Sequence, residues 1–346
     1  MRAFIIAEIG VNHNGDKALA FELIERAAEA GADAVKFQSF KAEALTAKGT
    51  PTVAYQKSRD GNSDQYEMLK RLELSEELHH ATAQHCKAYG IEFMSTAFDP
   101  ESLDLLCELG IKRIKIPSGE ITNTPYLRDN ARRGLPIILS TGMADLDEVR
   151  QAVETVRAAF PAGMSGDPES GLPPLTVLHC TSAYPTDFAD VNLLAMRTMA
   201  EELGVPVGYS DHTVGITVPP LAVAAGAIVI EKHFTRDRSL PGPDHAASIE
   251  PDELTEMVRR IREVELILGR AEKVPTAAEM EARALVRRGL KVARDLPAGS
   301  VLAAEDIHIR RPATGLAPDR YEWAIGKRLA VDLRAGEAIE AESLER

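Results

Sequence analysis

Between residue 1 and about Gly269 the chain repeats one rhythm eight times: a short apolar or β-branched run, then a longer amphipathic stretch closed by Gly or Pro. Short buried strands alternating with helices are the signature of βα units over a parallel sheet. The strands are expected at 4–7, 34–37, 92–95, 113–116, 136–139, 175–179, 207–210 and 227–231, with helices including 17–30, 76–89, 101–109, 146–159 and 252–268. Eight units in this length fit a closed (β/α)8 (TIM) barrel better than an open doubly wound sheet. No Gly-rich dinucleotide or P-loop motif follows a strand.

Two stretches break the rhythm. The polar segment 40–65 after the second strand is long for a βα loop, and such loops carry function or shield a site. The Gly/Pro-rich segment 161–174 precedes the sixth strand, at the opposite barrel face, and reads as a variable surface loop. Beyond Gly269 the pattern changes. The barrel is expected to occupy residues 1–270, a polar Ala/Glu-rich linker 271–285, and a small second domain 286–346. Within it, Leu290-Lys291-Val292-Ala293 and Arg328-Leu329-Ala330-Val331 form a near-repeat, each followed by Ala-Gly (Ala298-Gly299 and Ala335-Gly336). The chain carries 40 Lys and Arg against 53 Asp and Glu, a net charge of −13, which disfavours nucleic acid as a partner. No apolar run reaches the roughly 20 residues of a membrane helix. The N-terminus meets Glu8 before a signal-peptide core can form, and the three cysteines are far apart, so a reduced, cytoplasmic protein is expected.

A TIM barrel builds its site at the C-terminal strand ends, so the polar residues there are the informative ones. In strand order they are Glu8; Lys36 and Gln38; Ser95 and Thr96; Lys115 and Ser118; Ser140; Ser182 and Tyr184; Ser210 and His212; and Glu231, Lys232 and His233. Charged groups inside apolar strands are costly without a partner or ligand. Two lysines, several hydroxyls and two histidines around one ring suit a phosphorylated anion and a divalent metal. His212 and His233 follow neighbouring strands and can converge on one ion, or each can simply satisfy itself in the core. Lys36 and Lys115 can bind an anion, snorkel to the surface, or serve as a Schiff-base nucleophile for pyruvate. Glu8 is either an ion-pair partner of one of them or a proton carrier.

The strings AEIGVNHNG (7–15), VKFQSFKAE (35–43), IKIPSGEITN (114–123), ILSTGM (138–143), LHCTSAYPT (178–186), GYSDHT (208–213), EKHFT (231–235) and GPDHAASIEPDEL (242–254) together resemble the sialic acid synthase family, and IRRPATG (309–315) resembles its C-terminal antifreeze-like SAF domain, a β-clip fold. The resemblance spans nearly the whole chain. It implies condensation of phosphoenolpyruvate with an N-acetylated hexosamine, N-acetylmannosamine first, to a nine-carbon 2-keto acid and phosphate. A 2,4-diacetamido-2,4,6-trideoxymannose (legionaminate-type) or a pseudaminate-type acceptor is the alternative. It further implies Mn2+, or else Mg2+ or Co2+, on His212 and His233, with Glu8 the third catalytic residue. Phosphate and carboxylate fall to Lys36, Lys115, Ser118, Ser140 and Ser210, and the sugar to Gln38, Thr96, Ser182, Tyr184 and Asp244. A domain-swapped homodimer would bring Arg311 to the sugar's N-acyl group. Ser182 stands where some members carry Asn, Gly289 where Ser is common, and Ala97 where Pro is frequent.

Overall fold

The computed structural model describes residues 2–47, 50 and 65–345. Eight parallel strands close into one barrel in sequence order: β1 (Phe4–Gly10), β2 (Ala34–Ser39), β3 (Glu92–Ala97), β4 (Ile114–Ile116), β5 (Ile137–Ser140), β6 (Leu175–Cys180), β7 (Val207–Asp211) and β8 (Val229–His233). β8 pairs back onto β1, with Glu8 beside His233. All eight expected strands are present, displaced by no more than a few residues at their ends. Most of the expected loop at 40–65 lies outside the described residues. Its edges carry the short helices Ala42–Leu45 and Gln65–Leu72.

The helices form because their apolar residues recur at three and four. Helix Lys17–Glu29 buries Leu19, Ala20, Leu23, Ile24 and Ala27 on one stripe, and Asp16 caps it by accepting the Ala18 and Leu19 N–H groups. Such stripes and the outward strand residues form the larger core, between barrel and helices. Inward residues alternate with outward ones along each strand, so the barrel interior is layered. Ile6, Ala34, Met94, Ile138, Leu178 and Val229 pack together as an apolar layer. The next inward positions up the strands are Glu8, Lys36, Thr96, Lys115, Ser140, Ser210 and Glu231.

The segment before β6 is more than a surface loop. Leu172 joins the apolar layer inside the barrel, and Asp167 and Ser170 bind Arg113, which is 1 % exposed. Its guanidinium donates to both Glu92 carboxylate oxygens at 2.6 and 2.8 Å, to Asp167 Oδ2 at 2.8 Å and to Ser170 Oγ at 3.1 Å. A charge buried at the N-terminal mouth demanded partners, and this loop brings two of them.

Residues Arg270–Arg346 form a second compact unit. The expected linker contains a helix, Ala277–Val286, capped reciprocally by Thr276 and Glu279, which belongs to this unit. Antiparallel strands β9 (Gly289–Val292) and β10 (Ile307–Arg310) pack over Leu290, Val292, Leu296, Leu329, Leu333 and Ile339. The near-repeat is structural: Leu296 bridges Leu333, the Gly299 N–H donates to Leu329 O, and the Gly336 N–H donates to Val292 O.

Candidate active site

At the C-terminal end of the barrel, strands β1, β2, β4 and β8 bring four buried charges together. Lys36 Nζ lies 2.6 Å from Glu8 Oε2, 3.7 Å from Glu231 Oε2 and 3.1 Å from Thr96 Oγ1. Lys115 Nζ donates to Ser140 Oγ at 2.8 Å and lies 3.6 Å from Glu231 Oε1, which also accepts from Ser210 Oγ at 3.0 Å. Gln38 Nε2 donates to the other Glu8 oxygen at 3.2 Å. Burial works against Lys36's charge, but Glu231 and Glu8 outweigh it and hold its pKa above the ordinary lysine value. A lysine held so firmly protonated is a poor amine nucleophile. Burial pulls Lys115 below the ordinary value, with Glu231 opposing. The two carboxylates are driven apart: burial, opposed by Lys36, raises Glu8, whereas Lys115 and Lys36 overcome burial and hold Glu231 low.

Beside this ring, Ser118 Oγ lies 3.2 Å from Cys180 Sγ and accepts the Gly142 N–H at 2.9 Å. A Cβ at Gly142 would stand 2.2 Å from Ser182 Oγ and 2.9 Å from Ser118 Oγ, so only glycine lets these hydroxyls close around the strand end.

The two histidines meet as expected, their ring centres 5.6 Å apart, and Tyr184 covers both at 4.1 Å from His212 and 5.8 Å from His233. His212 Nδ1 sits 2.7 Å from the Thr181 carbonyl oxygen, so that nitrogen carries the proton and Nε2 keeps its lone pair. Burial lowers the pKa of His212, and burial with the neighbouring His212 lowers that of His233, so both rings are neutral. His233 Nδ1 is buried without a hydrogen-bond partner, the nearest carboxylate being Asp244 Oδ2 at 3.8 Å. Burial raises Asp244 to about 6. Two neutral imidazoles, one with an unused buried nitrogen, fit a divalent ion that takes one nitrogen from each. Among the described residues no set of three His, Cys, Asp or Glu forms a complete metal cage, so such an ion's other positions would go to water or substrate.

Of the fourteen residues given a catalytic or binding role in the sequence, thirteen therefore lie on the barrel, around this end. The remaining one, Arg311, lies in the second domain, exposed directly after β10. Glu231 was named only as a strand-end residue, yet it joins both lysines; the signal was its position two before His233, hence on the same inward face. Lys232 and Asp211 point the other way and neutralise each other at 2.6 Å, both fully buried. The sequence reading gave no role to the clamp behind Asp244, in which Asn12 Nδ2 donates to Phe234 O and to Ser248 Oγ, and Asn14 Nδ2 donates to Pro241 O.

A parallel barrel with a buried lysine pair, a hydroxyl rim and two neutral histidines at its C-terminal end defines an enzyme that handles a phosphorylated anion. The NeuB family model matches residues 23–273 and the SAF domain model residues 287–345. The chain belongs to the NeuB family, as a TIM-barrel synthase that joins phosphoenolpyruvate to a sugar. It is 53% identical over 346 residues to the N,N'-diacetyllegionaminic acid synthase of Legionella pneumophila, covering 100% of this chain and 95% of that one. To the synthase of the same name from Campylobacter jejuni it is 43% identical over 339 residues, 98% of this chain and 99% of the other. Among solved structures, the N-acetylneuraminic acid (sialic acid) synthetase of Leptospira borgpetersenii in complex with citrate superposes with a TM-score of 0.71 at 36% identity, over 82% of this chain and 90% of that one. Among the described residues no helix is long and apolar enough to cross a membrane.

Proposed function

We propose that the enzyme condenses phosphoenolpyruvate with 2,4-diacetamido-2,4,6-trideoxymannose and water, giving the diacetamido nine-carbon 2-keto acid and phosphate. The observation that carries this is the ring of Lys36, Lys115, Glu231, Ser140 and Ser210, with Ser118 beside it, next to the neutral His212 and His233 pair. The acceptor differs from the N-acetylmannosamine that the sequence resemblance puts first. Relatives carrying the legionaminic name match more closely, at 53% and 43% identity, than the neuraminic synthetase at 36%.

In this reading Lys115, Ser118 and Ser140 bind the phosphate, while Lys36 and Ser210 take the carboxylate through charge-assisted hydrogen bonds. Glu8 and Glu231 preorganise both lysines before the anion arrives, and the anion competes with them for the ammonium groups. A divalent ion, Mn2+ first, on His212 and His233 would supply Lewis-acid polarisation of the acceptor's carbonyl oxygen. C3 of phosphoenolpyruvate then bonds to the acceptor's C1, water adds at C2, and phosphate leaves with C–O cleavage. Glu8, the carboxyl with the raised pKa, moves the proton released by that water. Gln38, Thr96, Ser182, Tyr184 and Asp244 orient the sugar. Use of phosphoenolpyruvate supports a cytoplasmic location. The assembly we propose is a domain-swapped homodimer in which Arg311 binds the acyl group of the acceptor in the partner's barrel; a fully active monomer in sedimentation would overturn it.

The test is phosphate release from phosphoenolpyruvate with Mn2+ and a panel of N-acetylmannosamine, its 6-phosphate, an altrose-type acceptor and the trideoxy sugar. Release with the trideoxy sugar, lost in EDTA and restored by Mn2+, is expected. Activity confined to another acceptor would move the assignment within the family. Full activity in EDTA, or borohydride trapping with pyruvate, would overturn the mechanism.

A further inference from the structure

Above the polar ring lies a cavity of about 130 Å3 with two chemically different sides. Gln38, Tyr184, His233 and Asp244 supply its polar lining; Pro243, Val11, Met68, Leu69 and Leu72 supply its apolar lining. The last three come from helix Gln65–Leu72. Their spacing of one, three and four places them on one face, and the intervening Lys70 turns outward to pair with Glu43 and Glu73. Met68 is 1 % exposed and Leu72 8 %, and both are backed by Phe40 and Phe98 in a cluster of their own, distinct from the barrel's two cores. Among the described residues, this wall is a packed surface without a hydrogen-bonding side chain.

We infer that this apolar wall reads C6 of the acceptor, receiving the methyl of a 6-deoxy sugar and disfavouring a 6-hydroxymethyl group. The inference rests on the acceptor reading above. An acceptor that presents C1 at the histidine pair must run its chain away from it. His233 and the face of Met68 and Leu72 line the same cavity, so the distal carbons of an acceptor held at His233 have the wall within reach. A hydroxyl pressed against that wall faces methyl and thioether groups and must turn away to find a partner, whereas a methyl loses nothing and gains contact. Apolar pockets reject an added hydroxyl only moderately, so the expected preference is about ten- to a hundredfold.

The experiment compares kcat/KM for two acceptors that differ only at C6: 2,4-diacetamido-2,4,6-trideoxymannose and 2,4-diacetamido-2,4-dideoxymannose. The unmodified enzyme is expected to favour the 6-deoxy sugar by that factor. Met68→Gln is expected to bring the ratio to within about threefold, Met68→Leu to keep it, and neither to change KM for phosphoenolpyruvate. Should Met68→Gln fail to fold, Leu69→Gln on the half-buried edge of the same face gives the same readout. Equal turnover of both sugars by the unmodified enzyme, or a ratio unmoved by the polar variants, overturns the wall and leaves the acceptor assignment standing. Turnover of N-acetylmannosamine alone, with neither diacetamido sugar accepted, overturns the acceptor assignment and the wall with it.

Discussion

The two mouths of the barrel solve the same electrostatic problem in opposite ways. At the N-terminal mouth Arg113 is buried, and the protein supplies every partner: two Glu92 oxygens, Asp167 and Ser170. At the C-terminal mouth Lys36, Lys115, Glu8 and Glu231 are just as buried, yet atoms are left over, among them Glu231 Oε2 and His233 Nδ1. A buried polar atom without a partner costs free energy, and a fold retains it where a ligand will complete it. One network is closed and holds the barrel together. The other is open and holds something else.

The comparison breaks most decisively at Lys115. Lys115→Met is expected to lower kcat/KM for phosphoenolpyruvate roughly a thousandfold while the melting temperature moves by no more than about 3 °C, because Glu231 keeps Lys36. A large fall in melting temperature would mean that the upper network is structural too. Arg113→Met should do the reverse. Removing the shared partner leaves Glu92 and Asp167 facing each other, at a cost of about 3–5 kcal/mol in urea unfolding, with kcat per folded molecule retained. Lost activity without lost stability would refute the division of labour between the mouths.

The smallest expected effect is in acid. Partial burial works against the Asp167 charge, but the Ser170 hydroxyl, the Glu169 N–H and Arg113 outweigh it and hold Asp167 at about 2, below its ordinary 3.8. A carboxyl with a lowered folded-state pKa stabilises fully above the unfolded value and loses that contribution as pH falls through the folded one. The loop's contribution should therefore be intact above about pH 4 and fade towards pH 2, and Asp167→Asn should flatten the stability profile in that window. An unchanged profile would show that Asp167 does not anchor the loop.

Much of this was legible in the chain, and the reasons differ from residue to residue. The eight strands could be read because a strand buried on both faces must be short and apolar, and so a charge within one, such as Lys36 or Lys115, stands out. The histidine pair was legible from strand adjacency alone. Glu231 was harder: it sits in a run of three consecutive polar residues, and only the two-residue period separates it from Lys232, which faces away and is neutralised by Asp211. The plug at 161–174 was not legible as one, since Gly and Pro report turns and say nothing of where Leu172 goes. Nor was helix Ala277–Val286 read from its composition, which is equally that of a polar linker. The apolar wall depends on helix Gln65–Leu72 meeting Val11, just past β1, and His233 on β8, both far away in sequence, a long-range event without a local signature.

The closing of β8 onto β1 also dictates when the enzyme can exist. Glu8 and His233 become neighbours only through that last pairing, although synthesis separates them by more than two hundred residues. At about 5–20 residues per second the first strand waits on the order of ten seconds or more for its partner. Until then one edge of β1 is unpaired and Glu8 lacks the histidine it will lie beside. The nascent chain therefore passes through a period in which neither substrate nor metal can rescue it. Its survival then rests on how well the early βα units cover their own apolar faces.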